Sequence, residues 1–246
     1  MHSSSRAPQP FHAIEWRAEE PALHAVQGVI QTLGSLGWMH ELRPPSEAQF
    51  RARFKLLARF RTHTTSFTPL CLRLLYGVGH AHRGGNFVGI GSGDGLAVAA
   101  LTAGALDRAG TAPVRAVGVD INPLAIATAR RNAKLLPAGG TLGFRPADGL
   151  EYLAAGVDPI DVLLLDADCP VRGKAIYVDL LRAALPLLAP RAVVLAHDAC
   201  TPQFNADLRQ YARSVRAAGL QGPVDIPVGA GWSFAVLAPS HTSTPT

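Results

Sequence analysis

Between Asn86 and Gly95 the chain reads NFVGIGSGDG, with glycine at 89, 91, 93 and 95. Glycine packs no side chain and loses more backbone freedom on folding than any other residue, so such a cluster needs a reason. The chemistry it suits is close approach of backbone to a ligand. FVGI reads as a strand and GSGDG as its turn into a helix, where Gly91, Gly93 and Gly95 remove the Cβ atoms that would obstruct that approach. A pyrophosphate-binding G-x-G-x-x-G does not fit, because the last slot falls on Leu96 when counted from Gly91 and on Asp94 when counted from Gly89. Asp120 ends a second apolar run, VGVDINP, where a carboxylate can accept hydrogen bonds from both hydroxyls of a ribose. Asn122-Pro123 behind it reads as a helix cap with proline at the first helical position. Asp148, in FRPADGLEYL, either meets an adenine amino group or merely caps the next helix. Plain close packing is the competing reading of the glycines, and a simple turn residue that of Asp120.

These residues need a scaffold, and the chain supplies one. Short aliphatic or β-branched runs recur at FVGI, VRAVGVD, TLGF, IDVLLLD, RAVVLAH, PVDIPV and WSFAVL. Helical stretches separate the first five, over residues 96–107, 123–135, 150–155 and 174–188. That alternation predicts a parallel sheet covered on both faces, with the continuously apolar VLLL and AVVLA as central strands. The last two runs have only GAG near their turn and suit an antiparallel edge hairpin. The expected fold is a doubly wound, mostly parallel, seven-stranded Rossmann-like α/β sheet with a helical N-terminal extension. The expected division is a loose tail over 1–12, the extension over 13–75, the ligand-binding α/β domain over 76–238 and a second loose tail over 239–246.

At 246 residues the chain suits one sizeable domain, and 48% hydrophobic with 17% charged residues argues against disorder. No apolar run reaches the roughly 18 to 20 residues that span a bilayer, and the N-terminus lacks the apolar core of a secretory signal. Three cysteines, Cys71, Cys169 and Cys200, show no zinc spacing and suit a reduced cytoplasmic compartment. The net charge of +5 has one cluster, RARFKLLARFR, in which Phe50, Phe54, Leu57 and Arg61 recur at helical spacing. A solvated basic face explains that cluster, and no aromatic stacking motif accompanies it to favour nucleic acid.

The chain resembles the class I S-adenosylmethionine-dependent methyltransferases. Within them it looks like the small-molecule O-methyltransferases of the catechol and caffeoyl-coenzyme A type. The resemblance runs from about residue 61 to 238 and is carried by VGIGSGDG, VGVDINPLAIATARRNAKL, PADGLEYL, IDVLLLDADCPVRGKAIYVDLLRAALPLLAPRAVVLAHDA and VDIPVGAGWSFAVL. It implies S-adenosylmethionine as cofactor and a small-molecule acceptor as partner. It places Gly89, Gly91, Ser92 and Gly93 along the cofactor turn, Asp120 at the ribose, Ala147 and Asp148 beside the adenine, and Ile121 among the cofactor contacts. Together with the helical extension it points to a homodimer.

Three positions depart from the family pattern. Gly89 stands where an acidic residue usually does, so the methionine amino group loses a customary partner that Asp166 or Thr65 would replace. Metal-dependent members hold a divalent cation with a carboxylate after the fourth strand and an Asp-Asn pair after the fifth. Asp166 and Asp198 match two of these ligands, but the third position is Ala199, so an essential metal is not expected. The family's basic lysine, three residues beyond the first carboxylate, is Cys169 here. His197 is then the best replacement base, because histidine titrates near neutral pH, although a histidine satisfied by local backbone is an equal reading. Tyr177, Lys174 and the segment HTTSF (63–67) are further neighbours of the same cleft. The expected reaction is methyl transfer to oxygen or nitrogen. Attack at the aminobutyrate carbon with release of methylthioadenosine, a non-catalytic ligand-binding role and RNA methylation are the alternatives.

Overall fold

The computed structural model describes residues 9–10, 20–39, 46–62, 67–108, 113–137 and 141–238. In chain order the elements are β1 (Gln9–Pro10), α1 (Glu20–Ser35), α2 (Glu47–Leu57), β2 (Arg61–Thr62), α3 (Pro69–Ala81), β3 (Asn86–Ile90), α4 (Leu96–Asp107), β4 (Arg115–Asp120), α5 (Pro123–Ala133), β5 (Leu142–Pro146), α6 (Gly149–Ala154), β6 (Ile160–Leu165), α7 (Ile176–Ala184), β7 (Leu188–His197), α8 (Asn205–Ala217), β8 (Leu220–Ile226) and β9 (Trp232–Leu237). Seven strands form one sheet in the order β5-β4-β3-β6-β7-β9-β8. From β5 to β7 neighbouring strands run parallel, while β9 pairs antiparallel with both β7 and β8. This is the expected doubly wound sheet with its antiparallel edge hairpin.

Period-two alternation along the central strands splits their side chains between two cores. Phe87, Val162, Leu164, Val193 and Leu195 pack in the cluster that also holds residues of α1 to α5. Val88, Ile90, Leu163, Leu165, Val194 and Ala196 pack on the opposite face with α6, α7 and α8. A parallel strand sealed on both faces has no polar side to show water, which is why VLLL and AVVLA carry no alternation in hydropathy.

The N-terminal helices share the first core. Val26, Ile30, Phe50 and Phe54 belong to the same cluster as the sheet residues, and α3 continues through residue 75 to Ala81. Helices α3 and α4 approach closely at two glycines. A Cβ on Gly79 would lie 1.9 Å from the Leu101 carbonyl oxygen, and one on Gly104 would lie 1.9 Å from that of Tyr76. The basic cluster behaves differently from a purely solvated face. Arg53 forks onto Asp107 of α4 with both side chains largely buried, and Glu47 binds Arg51 and Arg73. Arg61 lies beyond α2, in β2.

One boundary and one whole element depart from the sequence expectation. The helix expected over 174–188 is α7 alone, followed by a 3₁₀ turn at Leu185–Leu187, because Pro186 has no N–H to continue the ladder. Helix α8 was not expected at all; Leu208, Tyr211 and Val215, its three buried residues, lie at helical spacing and were the available signal. Among the described residues no helix is long and apolar enough to cross a membrane.

Candidate active site

Strand order reverses between β3 and β6, which leave their shared neighbourhood in opposite directions, and a crevice opens beyond their carboxyl ends. The crevice is a cleft of about 390 Å³, within the range of small-molecule sites. Gly91, Gly93, Asp120, Ile121, Ala147, Asp148 and Asp166 all line it. These are seven of the residues named from sequence.

The glycine turn is fastened from within. The N–H groups of Gly91 and Ser92 both donate to the Val119 carbonyl, at 2.8 and 3.0 Å, and that of Gly95 donates to the Ser92 carbonyl. Gly93 N–H donates to Asp120 Oδ2 at 2.8 Å. With these donors engaged internally the turn is no phosphate cradle, in agreement with the failed pyrophosphate spacing. Gly91 is at φ +79°, and a Cβ there would stand 2.3 Å from the Ala167 amide nitrogen, so only glycine lets the turn lie against the end of β6. Gly93 is at φ +52° with open space where a Cβ would be, so its requirement is conformational.

Asp120 accepts from Gly93 on Oδ2 and from the Asn122 N–H on Oδ1, each at 2.8 Å. A carboxylate has about four lone-pair positions, so two remain for hydroxyls in the cleft. Asn122 caps α5 by accepting from Leu124 and Ala125, as its sequence context requires. Ile121 beside it is 73% exposed, an apolar side chain held open at the cleft mouth. Asp148 accepts from Leu150 at 2.7 Å and Glu151 at 3.2 Å, both on Oδ1, so it does cap α6 while also lining the cleft.

Gly89 and Ser92 do not line the cleft. Gly89 sits within β3, where a Cβ would meet Val98 Cγ2 at 2.4 Å, so the packing of α4 on β3 accounts for it. Ser92 is buried, and its hydroxyl has no hydrogen-bond partner among the described residues. Thr65 lies outside the described residues.

Behind the cleft wall is a charged cluster. Asp166 leaves the end of β6, His197 ends β7, and Asp198 follows in a left-handed conformation at φ +65°, which Asp tolerates better than most residues. His197 Nδ1 is 3.0 Å from Asp166 Oδ1 and 3.7 Å from Asp198 Oδ1. Its ring packs against both Phe67 and Trp232, with centroids at 4.8 and 4.5 Å, and Nε2 has no partner among the described residues. Lys174 Nζ lies 2.9 Å from Asp198 Oδ2 and 3.3 Å from Asp166 Oδ1, with its side chain only 3% exposed. Burial alone would lower its pKa, but the two carboxylates outweigh that and hold it above the ordinary lysine value, so it remains a cation. Tyr177 is fully buried against Tyr211, and its burial and the neighbouring carboxylates push its hydroxyl well above the ordinary range. Of this cluster Asp166 is the member that lines the cleft; His197, Asp198, Lys174 and Tyr177 stand behind it.

A divalent ion does not fit this arrangement. Asp166, His197 and Asp198 offer donor atoms within 4.8 Å of one another, but the Lys174 ammonium already sits between the carboxylates, and Ala199 has no donor. Lys174, which the sequence marked only as a neighbour, is the residue the structure brings to the centre.

No protein-family model and no curated protein matches the sequence. Solved structures do match. An O-methyltransferase from Bacillus cereus crystallised with SAH aligns at TM-score 0.59 and 16% identity, covering 87% of this chain and 99% of that one. The O-methyltransferase TomG from Streptomyces achromogenes, in complex with SAM, aligns at 0.60 and 15%, covering 92% and 99%. The SAH-bound methyltransferase PaMTH1 from Podospora anserina aligns at 0.59 and 14%, covering 88% and 95%. At these identities the likeness is one of architecture, and the chain has the Rossmann-like fold of the S-adenosylmethionine-dependent O-methyltransferases.

Proposed function

We propose that this protein is an enzyme that binds S-adenosylmethionine in the cleft at the β3–β6 switch point and methylates a small-molecule acceptor on oxygen or nitrogen. The observation that carries the proposal is the Asp120 carboxylate. It is oriented by two backbone donors and lines a cleft whose glycine turn is closed to phosphate. Structures of the same fold hold SAM or SAH, which supports the reading.

In this reading Asp120 accepts the ribose hydroxyls, Ile121 and Ala147 flank the adenine, and Asp148 receives its amino group on the oxygen not used for capping. Asp166, on the wall beside Gly91, takes the methionine amino group in place of the acid absent at Gly89. The bound nucleoside supplies a methyl group already activated on a sulfonium. The protein's main task is therefore orientation, which can provide roughly 7–11 kcal/mol. The proton released by the acceptor passes to the Asp166–His197 pair, with His197 holding the carboxylate from behind. No step requires a metal. We propose a homodimer as well, on the family resemblance of the sequence and the helical extension.

The test is to incubate pure protein with S-adenosylmethionine, with and without cell extract, and identify the nucleoside product by mass spectrometry. S-adenosylhomocysteine formed in the presence of extract is the expected result. Enzyme-dependent methylthioadenosine would show that the aminobutyrate carbon is attacked and would overturn methyl transfer.

A further inference from the structure

Three donor atoms from Asp166, His197 and Asp198 converge within 4.8 Å, a spacing that suits a metal ion. The same space receives the tip of Lys174. We propose that the Lys174 ammonium is the built-in cation of this site, standing where a divalent ion would otherwise bind, so that the protein supplies its own counter-charge to the carboxylates and takes no metal there. The inference does not depend on which reaction the cleft supports.

The geometry is specific. Nζ lies 2.9 Å from Asp198 and 3.3 Å from Asp166, and the two carboxylates are only 15% and 18% exposed. Carboxylates this far from water need a partner charge, and removing that partner is strongly destabilising. A lysine supplies a compact charge with three donors, which suits a pocket between two acids. An ion such as Mg²⁺ would demand oxygens at about 2.0–2.1 Å in near-octahedral order. It cannot enter while an ammonium holds the same two oxygens, and it would face a like charge in contact.

The chain also positions Lys174 with care. The preceding segment closes on itself, with the Cys169 and Gly173 backbones exchanging two hydrogen bonds at 3.2 and 2.7 Å. Gly173 takes φ +53°, and Asp207 of α8 accepts the Lys174 N–H at 3.1 Å. The rings of Tyr177 and Phe204 lie 5.3 and 5.5 Å from Nζ and help to shield the ammonium from water. Residues from α7, the turn before α8 and the ends of β6 and β7 therefore meet on one side chain.

Removing the lysine should create the metal site that the lysine occupies. Mn²⁺ is titrated into wild type, Lys174→Ala and Lys174→Gln, with the free ion followed by electron paramagnetic resonance and folding by circular dichroism. Wild type should leave millimolar Mn²⁺ free. Lys174→Ala should bind one ion per chain at least tenfold more tightly than wild type, with a rise in melting temperature that adding Asp198→Asn abolishes. Lys174→Gln, which fills the space without charge, should fall between them. Stoichiometric Mn²⁺ binding by wild type, lost on Asp198→Asn, would overturn the proposal whatever the variants do. Folded Lys174→Ala that binds no better than wild type would overturn it equally.

Discussion

On the proposed reading, Asp120 serves the fold and the ligand together. Its two oxygens already accept from Gly93 and Asn122, which fixes the carboxylate before any ligand arrives. Charge-assisted hydrogen bonds are worth about 1.5–3 kcal/mol each, so losing even one to a ribose weakens binding tenfold or more. Asp120→Ala should lower S-adenosylmethionine affinity at least tenfold by calorimetry while the far-ultraviolet circular dichroism is retained. Unchanged affinity would remove Asp120 from the site. The pairing of glycine turn and strand-end carboxylate was legible in the sequence because both answer to local rules, a positive φ and a strand terminus. Gly89 was not legible in the same way. Its neighbour Val98 belongs to the next helix, and the sequence shows a missing acid where the structure shows van der Waals contact. Lys174 was harder still. It lies eight residues beyond Asp166, and its reach to both acids depends on the turn at Gly173 and on Asp207 of a helix that the sequence reading did not find.

At the scale of elements, the N-terminal helices are bound to the sheet domain by ion pairs as well as by apolar packing. Glu47 at the start of α2 accepts from Arg51 on its own helix and from Arg73 on α3, whose guanidinium also lies 4.3 Å over the Phe50 ring. Burial would raise the Glu47 pKa, but the hydrogen bonds and charges of Arg73 and Arg51 outweigh it and hold the carboxyl below its ordinary value of 4.5. A depressed folded pKa contributes stability above the unfolded value, and that contribution is lost as pH falls through the folded one. Glu47→Gln should therefore melt below wild type at neutral pH, and the two should converge once the pH has fallen through the depressed folded pKa, where both side chains are neutral. A gap in melting temperature that persists at that pH would assign the effect to shape rather than charge. The amphipathic pattern of α2 was readable, since Phe50, Phe54 and Leu57 recur on one face and are buried. Its pairing with α3 and α4 was not, because the partners Arg73 and Asp107 lie 26 and 54 residues from Glu47 and Arg53.

For the molecule as a whole, the two cores meet at the sheet, and the cleft opens where β3 and β6 part, with a charged cluster that reaches its wall through Asp166. If catalysis needed a divalent ion, that cluster would have to open and release Lys174 from both acids. Nothing in the proposed methyl transfer calls for it. A positioned base contributes about 10² to 10⁴-fold, whereas holding two reactants in line supplies more. In that reading the electrophile arrives activated, and the cation that steadies Asp166 and Asp198 is covalently part of the turn that leads into α7. Turnover of S-adenosylmethionine should survive exhaustive dialysis against EDTA, and millimolar Mg²⁺ added afterwards should not raise it. Activity abolished by EDTA and restored by Mg²⁺ would mean that the ammonium yields its place during catalysis, and that the arrangement seen here is a resting one.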